Sequence, residues 1–587
     1  AGEADPNVLE TGYFVPEHEL HHYAENERVM VRNEHGEQQH KRHERGSFLY
    51  RLAGRDREKS ASYYTPEVLT RSLVKYALKE LYREQLDPLP DDAARAHHIL
   101  SLTLCEPAMG SAAFLNEAID QLADKYLALA QNAGLAHARE PVDTKGAPAT
   151  GGEHRIPQAE YAAHKQRVKM YLADHCVFGV DLNPIAVELA EVSLWLAALS
   201  DDRFVPWFGF QLHTGNSLIG ARREAYPSSA LPLKATNTAS WLKTAPKAVP
   251  FNLDATANAK HVEGNEEKST PTGIWHFLLP FDGMAAYDDK VAKKLFAEPI
   301  KALKTWRKNF TAPFDRDEIT RLERLSQQVC ALWDEHAREL HRLRDNTSDP
   351  YAIYGLPAHG RQTSLADKDA AHGAIRRPEQ NNAPAYQRLK LAMDYWCALW
   401  FWPLDEHEEL PSRAEWLFDL ETLLAGDTLG AGPGDTTPDL FTTNVVAEPN
   451  GAYDVAQEGR AFVDRFGVVN RKLLFQVCPR FAMASRIAER ERFFHWELEF
   501  ADLFAGLHNG RQGFDLILGN PPWLKVEWEE SGVLGDHQPR FVLQNFSAST
   551  LNELREEAMH ENPGLQYAWQ AAYQQSEGTQ AFLNHVS

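Results

Sequence analysis

The sequence predicts an α/β fold, an open parallel sheet interrupted by a large helical insertion. Three observations predict it. Residues 99–105 (ILSLTLC) form an apolar run that reaches Glu106 and passes through a Gly/Ser turn into a long helical pattern. Residues 177–181 (VFGVD) do the same, with Asp181 at the end of the run and Asn183-Pro184 opening the next helix. Far downstream, a third run from Phe514 to Leu518 reads as a buried strand and stops at Gly519-Asn520-Pro521-Pro522-Trp523. Two adjacent prolines continue neither a ladder nor a helix, so that strand must end in a rigid extended turn. Open α/β sheets place their ligands at such strand ends.

Residues 1–60 read as a polar, histidine-rich N-terminal arm whose stretch 41–59 is locally basic. A solvated arm and a backbone-contacting element beside a nucleic acid both fit that composition. The segment 61–220 follows as one unit. Thr65 suits a helix N-cap and Pro66 a first turn, after which Leu69, Leu73, Tyr76, Ala77 and Leu81 recur at helical spacing as the expected inner face. The strand at 99–105, the turn Glu106-Pro107-Ala108-Met109-Gly110 and its helix come next. Such a turn lets backbone approach a bound cofactor closely, although many strand-to-helix turns carry a glycine only to make a corner. The strand ending at Asp181 and a third one within 208–220, closing on Gly215-Asn216-Ser217, complete the unit. From 221 to 512 short apolar helices alternate with polar linkers, which reads as a mainly helical insertion; within it, residues 391–403 read as a buried helix. Residues 513–587 contain the last strand, its loop and a polar helical tail.

Composition limits the function. The 587 residues include 43% hydrophobic and 25% charged side chains, an ordinary globular balance. No apolar stretch is long enough to span a bilayer, so no membrane role is expected. Five scattered cysteines without a C-x-x-C pair suit neither a disulfide framework nor a zinc site, which points to a reducing, cytoplasmic setting and no metal. The net charge of −22 argues against nucleic-acid binding unless a basic surface is concentrated locally.

Four features stand in one order: YYTP before a helix, EPAMGSAAFL, VDLNP with GNSL, and GNPPW. The ordered set resembles the amino-methyltransferases that use S-adenosylmethionine and carry a catalytic NPP[YFW]. FHWELEF at 494–500 extends the resemblance to the large adenine-N6 DNA methyltransferases of the Eco57I-like group. Trp after the prolines and the long insertion are similar to the phage-defence members of BREX and DISARM systems. The resemblance covers about 60–220 and 490–528, and implies a Rossmann-like class I methyltransferase sheet. It implies that Tyr64, Thr65 and Pro66 help close the cofactor site, and that Glu106, Pro107, Ala108 and Gly110 surround the methionine part of S-adenosylmethionine. Asp181 would hold the ribose hydroxyls and Asn216 would face the cofactor's adenine. Asn520, Pro521, Pro522 and Trp523 would receive an adenine flipped out of double-stranded DNA, with other defence proteins as partners.

The chemistry suits the motif. The exocyclic amino group of adenine is a poor nucleophile because its lone pair is delocalised into the ring. The Asn520 side-chain carbonyl and a Pro521 main-chain carbonyl can accept its N–H bonds and localise that pair, while Trp523 stacks on the base. Two departures from the family pattern stand out. Ala112 replaces a usual glycine and is strained by about 1 kcal/mol if that position needs positive φ. Asn216 replaces a common Asp and lacks charge assistance. Lys525 and Trp528 read as DNA contacts or as a solvated strand end, and Phe493, Phe494 and Trp496 as core. The family adds three strands and a recognition region after the catalytic strand, whereas only about 60 residues follow Trp523. The expectation is therefore an incomplete sheet with an open edge, in a C-terminally truncated chain. Methylation of RNA or of a protein glutamine, and a non-catalytic cofactor-binding subunit, are the competing readings.

Overall fold

A computed structural model describes residues 13–33, 35–47, 65–135, 156–199, 206–231, 241–251, 253, 273–358, 362–376, 382–425, 469–523, 526–544 and 546–586. The fold is mixed α/β. Its central element is a four-stranded, all-parallel sheet built from β1 (Leu104–Glu106), β2 (Val177–Asp181), β3 (Leu212–Thr214) and β4 (Leu516–Ile517), in the order β4-β1-β2-β3. β4 arrives from more than 300 residues downstream and pairs with β1 in parallel, Leu516 opposite Leu104 and Ile517 opposite Cys105.

The two faces of the sheet are covered by different means. On one face Leu104, Val177, Leu212 and Leu518 join a core with helices α1 (Glu67–Leu81), α2 (Asp92–Ile99), α3 (Ala113–Asn132), α4 (Tyr161–His175) and α5 (Pro184–Ala198). This is the apolar, helix-covered face that parallel sheets require. On the other face Cys105, Phe178 and Val180 meet Phe494 and Phe500 of the FHWELEF segment and Leu503 just after it. Phe493 and Phe494 are buried and Trp496 half-buried, so their core assignment holds.

FHWELEF and the residues just after it bury polar as well as apolar side chains, and each buried polar group named below bonds to another part of the insertion. His495 accepts from the Ala221 backbone at 2.9 Å and lies 3.0 Å from Asp394, which Lys390 pairs at 2.9 Å. Glu499 accepts from the Tyr386 hydroxyl at 2.8 Å and pairs with Arg376 at 2.7 Å. Asp502 takes two bonds from the Arg344 guanidinium, the shorter at 2.7 Å. Buried charges are tolerated only when paired and hydrogen-bonded in this way. The partners come from α6 (Arg316–Thr347), α7 (Ala385–Ala398) and residue 376 just before α7. With α8 (Arg413–Leu424), α9 (Arg480–Glu491) and the tail helix α10 (Pro563–Val586), these helices share one large apolar core. α7 is buried almost throughout, as the sequence suggests. The insertion also contains a small antiparallel sheet of Glu224–Tyr226, Lys247–Ala248 and Ile274–Trp275. Among the described residues no helix is long and apolar enough to cross a membrane.

Several expectations need correction. In α1 the buried residues are Thr70, Val74, Leu78 and Leu81, while Leu69, Leu73 and Tyr76 are exposed. The helix carries two apolar stripes, and periodicity alone does not say which one meets α3. Thr65 does not cap it; Pro66 occupies the N-cap position without a side-chain cap. The run 514–518 is an edge strand rather than a buried one, with Leu518 buried but Ile517 64% exposed. Trp528 is not a solvated strand end: its ring packs at 5.2 Å and 5.3 Å against Trp569 and Tyr573 of α10.

Candidate functional site

The carboxyl ends of β1, β2, β3 and β4 bring most of the sequence-picked residues to one rim of the sheet. After β1 the chain turns through Gly110 at φ 53° and Ala112 at φ 61°, both in the left-handed region. A side chain added at Gly110 would meet nothing within 4 Å, so the turn faces open space. Ala112 is therefore held where glycine is favoured, which meets the condition for its strain. Two bonds fix the turn to β2: the Met109 N–H donates to the Val180 carbonyl at 3.0 Å and the Gly110 N–H donates to an Asp181 oxygen at 2.8 Å.

Asp181 is a hub. Its second carboxylate oxygen accepts from the Asn183 N–H at 2.8 Å, and its carbonyl accepts from the Gly215 N–H at 2.9 Å. Four lone-pair positions on the carboxylate leave acceptor capacity for hydroxyl groups of a ligand. Asn183 caps α5 through the Ile185 N–H at 3.1 Å. Beyond β3, the Asn216 side-chain oxygen accepts from the Leu218 N–H at 3.2 Å, closing a tight turn. Leu182 and Leu218, 41% and 63% exposed, flank Asp181 and Asn216. Both leucines thus present apolar surface beside polar groups at neighbouring strand ends, surface that a flat ring laid along this rim would cover. These two leucines escape sequence reading, because nothing in a Leu identity announces exposure.

Glu106 is almost fully buried, and its carboxylate accepts from the Leu115 N–H at 3.4 Å inside the first turn of α3. Burial, with the Asp181 charge nearby, pushes its carboxyl well above the usual range. It anchors the helix start from below, with Pro107 and Ala108 half-buried above it.

The acceptor end is built differently. Asp515 stitches β4 to β1: its carboxylate accepts from the Thr103 N–H at 2.9 Å, the Thr103 hydroxyl at 3.0 Å and Arg511 at 2.6 Å. Burial raises this carboxyl, but Arg511 and the Thr103 N–H outweigh it and hold it below the ordinary value. Past Gly519 the loop emerges into solvent, and Asn520, Pro521, Pro522 and Trp523 are all exposed, Trp523 by 87%. Asn520 donates to the Thr65 hydroxyl at 3.3 Å and its carbonyl oxygen accepts from the Trp523 indole N–H at 3.1 Å. Thr65 and Pro66 thus stand beside the NPPW loop. Tyr64 and Lys525 lie outside the described residues.

The GNSL and FHWELEF motifs prove to be neighbours. Residues 492–496 run beside 216–221, with the Phe494 N–H on the Ile219 carbonyl at 2.9 Å and the Trp496 indole on the Ser217 carbonyl at 3.0 Å. Gly220 has to be glycine for this approach, since a Cβ there would fall 1.9 Å from the Phe494 carbonyl oxygen.

No protein-family model, curated protein or solved structure matches the chain.

Proposed function

We propose that this chain transfers the methyl group of S-adenosylmethionine to the exocyclic N6 amino group of adenine in DNA, in a cytoplasmic restriction or phage-defence setting. The observation that carries the reading is the convergence of Gly110, Asp181 and Asn216 with Asn520 at the carboxyl ends of adjacent parallel strands, in the order β4-β1-β2-β3. That order, with a left-handed glycine turn after β1 and a carboxylate after β2, supports a Rossmann-like class I sheet.

The residues fit the cofactor. The open space over Gly110, the spare acceptor positions of Asp181 and the apolar surface of Leu182 and Leu218 suit a chain, a ribose and a flat base in turn. When bound, the cofactor supplies an electrophilic methyl on a sulfonium. The protein's part is to orient the amino nitrogen. Asn520 Oδ1 and the Pro521 carbonyl accept its two N–H bonds and localise the lone pair. Held in this way, the amino nitrogen would face the sulfonium methyl, and the proton it sheds after transfer would pass to water. No tuned base is required before transfer, so positioning carries the rate. Trp523 stacks on the flipped base, which offsets part of the cost of unstacking it.

Incubation with labelled S-adenosylmethionine and duplex DNA tests the reading, with labelled N6-methyladenine as the expected product. Absence of label in adenine overturns the substrate assignment, and label in RNA or in glutamine side chains moves the assignment there. Asn520→Ala is expected to lower transfer at least about 100-fold while cofactor affinity stays unchanged.

A further inference from the structure

Arg492 sits in the left-handed region at φ 56°, where a non-glycine residue is costly. It is the last turn of α9 and the entry to FHWELEF. From that conformation it makes two bonds into the rim. Its carbonyl accepts from the Asn216 N–H at 2.6 Å, and its guanidinium Nη1 donates to the Leu182 carbonyl. Asn216 and Phe493 form an isolated parallel bridge at the same point. One residue of the insertion therefore grips two turns of the rim, the one after β2 and the one after β3.

At this point the rim is held from both the sheet and the insertion. Behind Arg492 and Phe493 lies a cavity of about 310 Å³, lined also by Thr214, Arg376, Lys390 and Asp394. The exposed strand-end residue Thr214 is held to β2 by its ladder pairing with Asp181, and the Gly215 N–H donates to the Asp181 carbonyl at 2.9 Å. The Leu182 carbonyl, by contrast, stands outside any ladder and finds its bond in Arg492.

We infer that Arg492 is a positioning residue for the cofactor's adenine, through which the helical insertion holds the Leu182 and Asn216 turns of the rim at a fixed separation. The inference rests on the cofactor reading proposed above. The left-handed conformation closes α9, where the Arg492 N–H donates to the Ala488 carbonyl at 2.7 Å, and it leaves the carbonyl and the guanidinium free to bond Asn216 and Leu182. Glycine at this position would relax the backbone and keep the carbonyl bond to Asn216, while deleting the side-chain bond to Leu182. Structural and positioning roles then give opposite signs.

Calorimetry with S-adenosylmethionine and thermal melts of wild type, Arg492→Gly and Arg492→Lys decide it. Arg492→Gly is expected to melt at the wild-type temperature or above, yet to bind the cofactor about tenfold more weakly, the scale of one lost hydrogen bond at a preformed site. Arg492→Lys, which can still donate to the Leu182 carbonyl, is expected to recover most of that affinity. Wild-type affinity in Arg492→Gly overturns the inference, as does a loss of affinity that tracks a fall in melting temperature. A wild-type protein that does not bind S-adenosylmethionine overturns the cofactor reading itself, so the two failures are distinct.

Discussion

The two ends of the candidate site, the one proposed to take a cofactor and the one proposed to take a base, are built to opposite rules. Around Asp181 each turn is tied to its neighbour by backbone hydrogen bonds, and FHWELEF backs the rim with paired buried charges. Around Asn520 the chain hangs off an edge strand and the motif residues are exposed. The Asp181 side is preorganised by the fold, while the Asn520 side is held by two prolines, the Trp523 indole bond and a bond to the Thr65 hydroxyl. If the proposed reading holds, a site so divided would bind its cofactor alone and would need the nucleic acid itself to complete the second half.

Acid provides the largest break in this contrast. His213, His276, His336, His495 and His508 all have lowered pKa values with burial as the main cause, to about 4 for His336 and His508 and about 3 for His276. A histidine whose folded pKa lies below 6.5 binds fewer protons folded than unfolded. Its contribution is whole above pH 6.5 and is lost as pH falls towards the folded value. Together they predict a loss of several kcal/mol between pH 6.5 and about 4. His336 and His495 are bonded at the junction of insertion and sheet. Thermal melts and cofactor titrations across that range are therefore expected to fail together.

Asp515→Ala tests the seam between the two ends. It strips Thr103 and Arg511 of their acceptor and is expected to cost about 2–4 kcal/mol in denaturant melts. Methyl transfer is expected to fall further than cofactor affinity, because β4 carries the acceptor loop. Trp523→Ala confines the break to the loop. It is expected to weaken DNA binding about tenfold with cofactor affinity unchanged, whereas Trp523→Phe keeps a stacking face. Ala112→Gly is the mildest change and acts on the cofactor side, where relief of the left-handed alanine is expected to stabilise by about 1 kcal/mol in the same melts.

The parts of this molecule legible in sequence are those encoded by local chemistry. Strand-glycine-helix punctuation located β1 and β2, and Asn183-Pro184 marked the start of α5, because caps and turns act over a few residues. Ala112 could be flagged as strained since its neighbours define the turn. The inner face of α1 was misread because Leu69, Leu73 and Tyr76 obey the same period as the stripe that is buried. Ile517 was misread because an edge strand and a central strand share one composition. Arg492 and the exposed Leu182–Leu218 surface left no trace in the sequence. They depend on a segment more than 270 residues away in sequence arriving beside β3, and no local pattern encodes such a meeting.

An indole bond to Asn520 that must open to admit a base would divide the loop into two populations rather than one. The oxygen proposed to hold the target amino group is occupied by Trp523 in one of them and free in the other. A net hydrogen bond of about 1 kcal/mol leaves roughly one molecule in six open, so the apparent affinity for a flipped base is about sixfold below the intrinsic one. On the proposed reading, the same ring that would reward a correct base by stacking would tax every base that arrives, and a ligand too weak to displace it would be rejected before any chemistry begins.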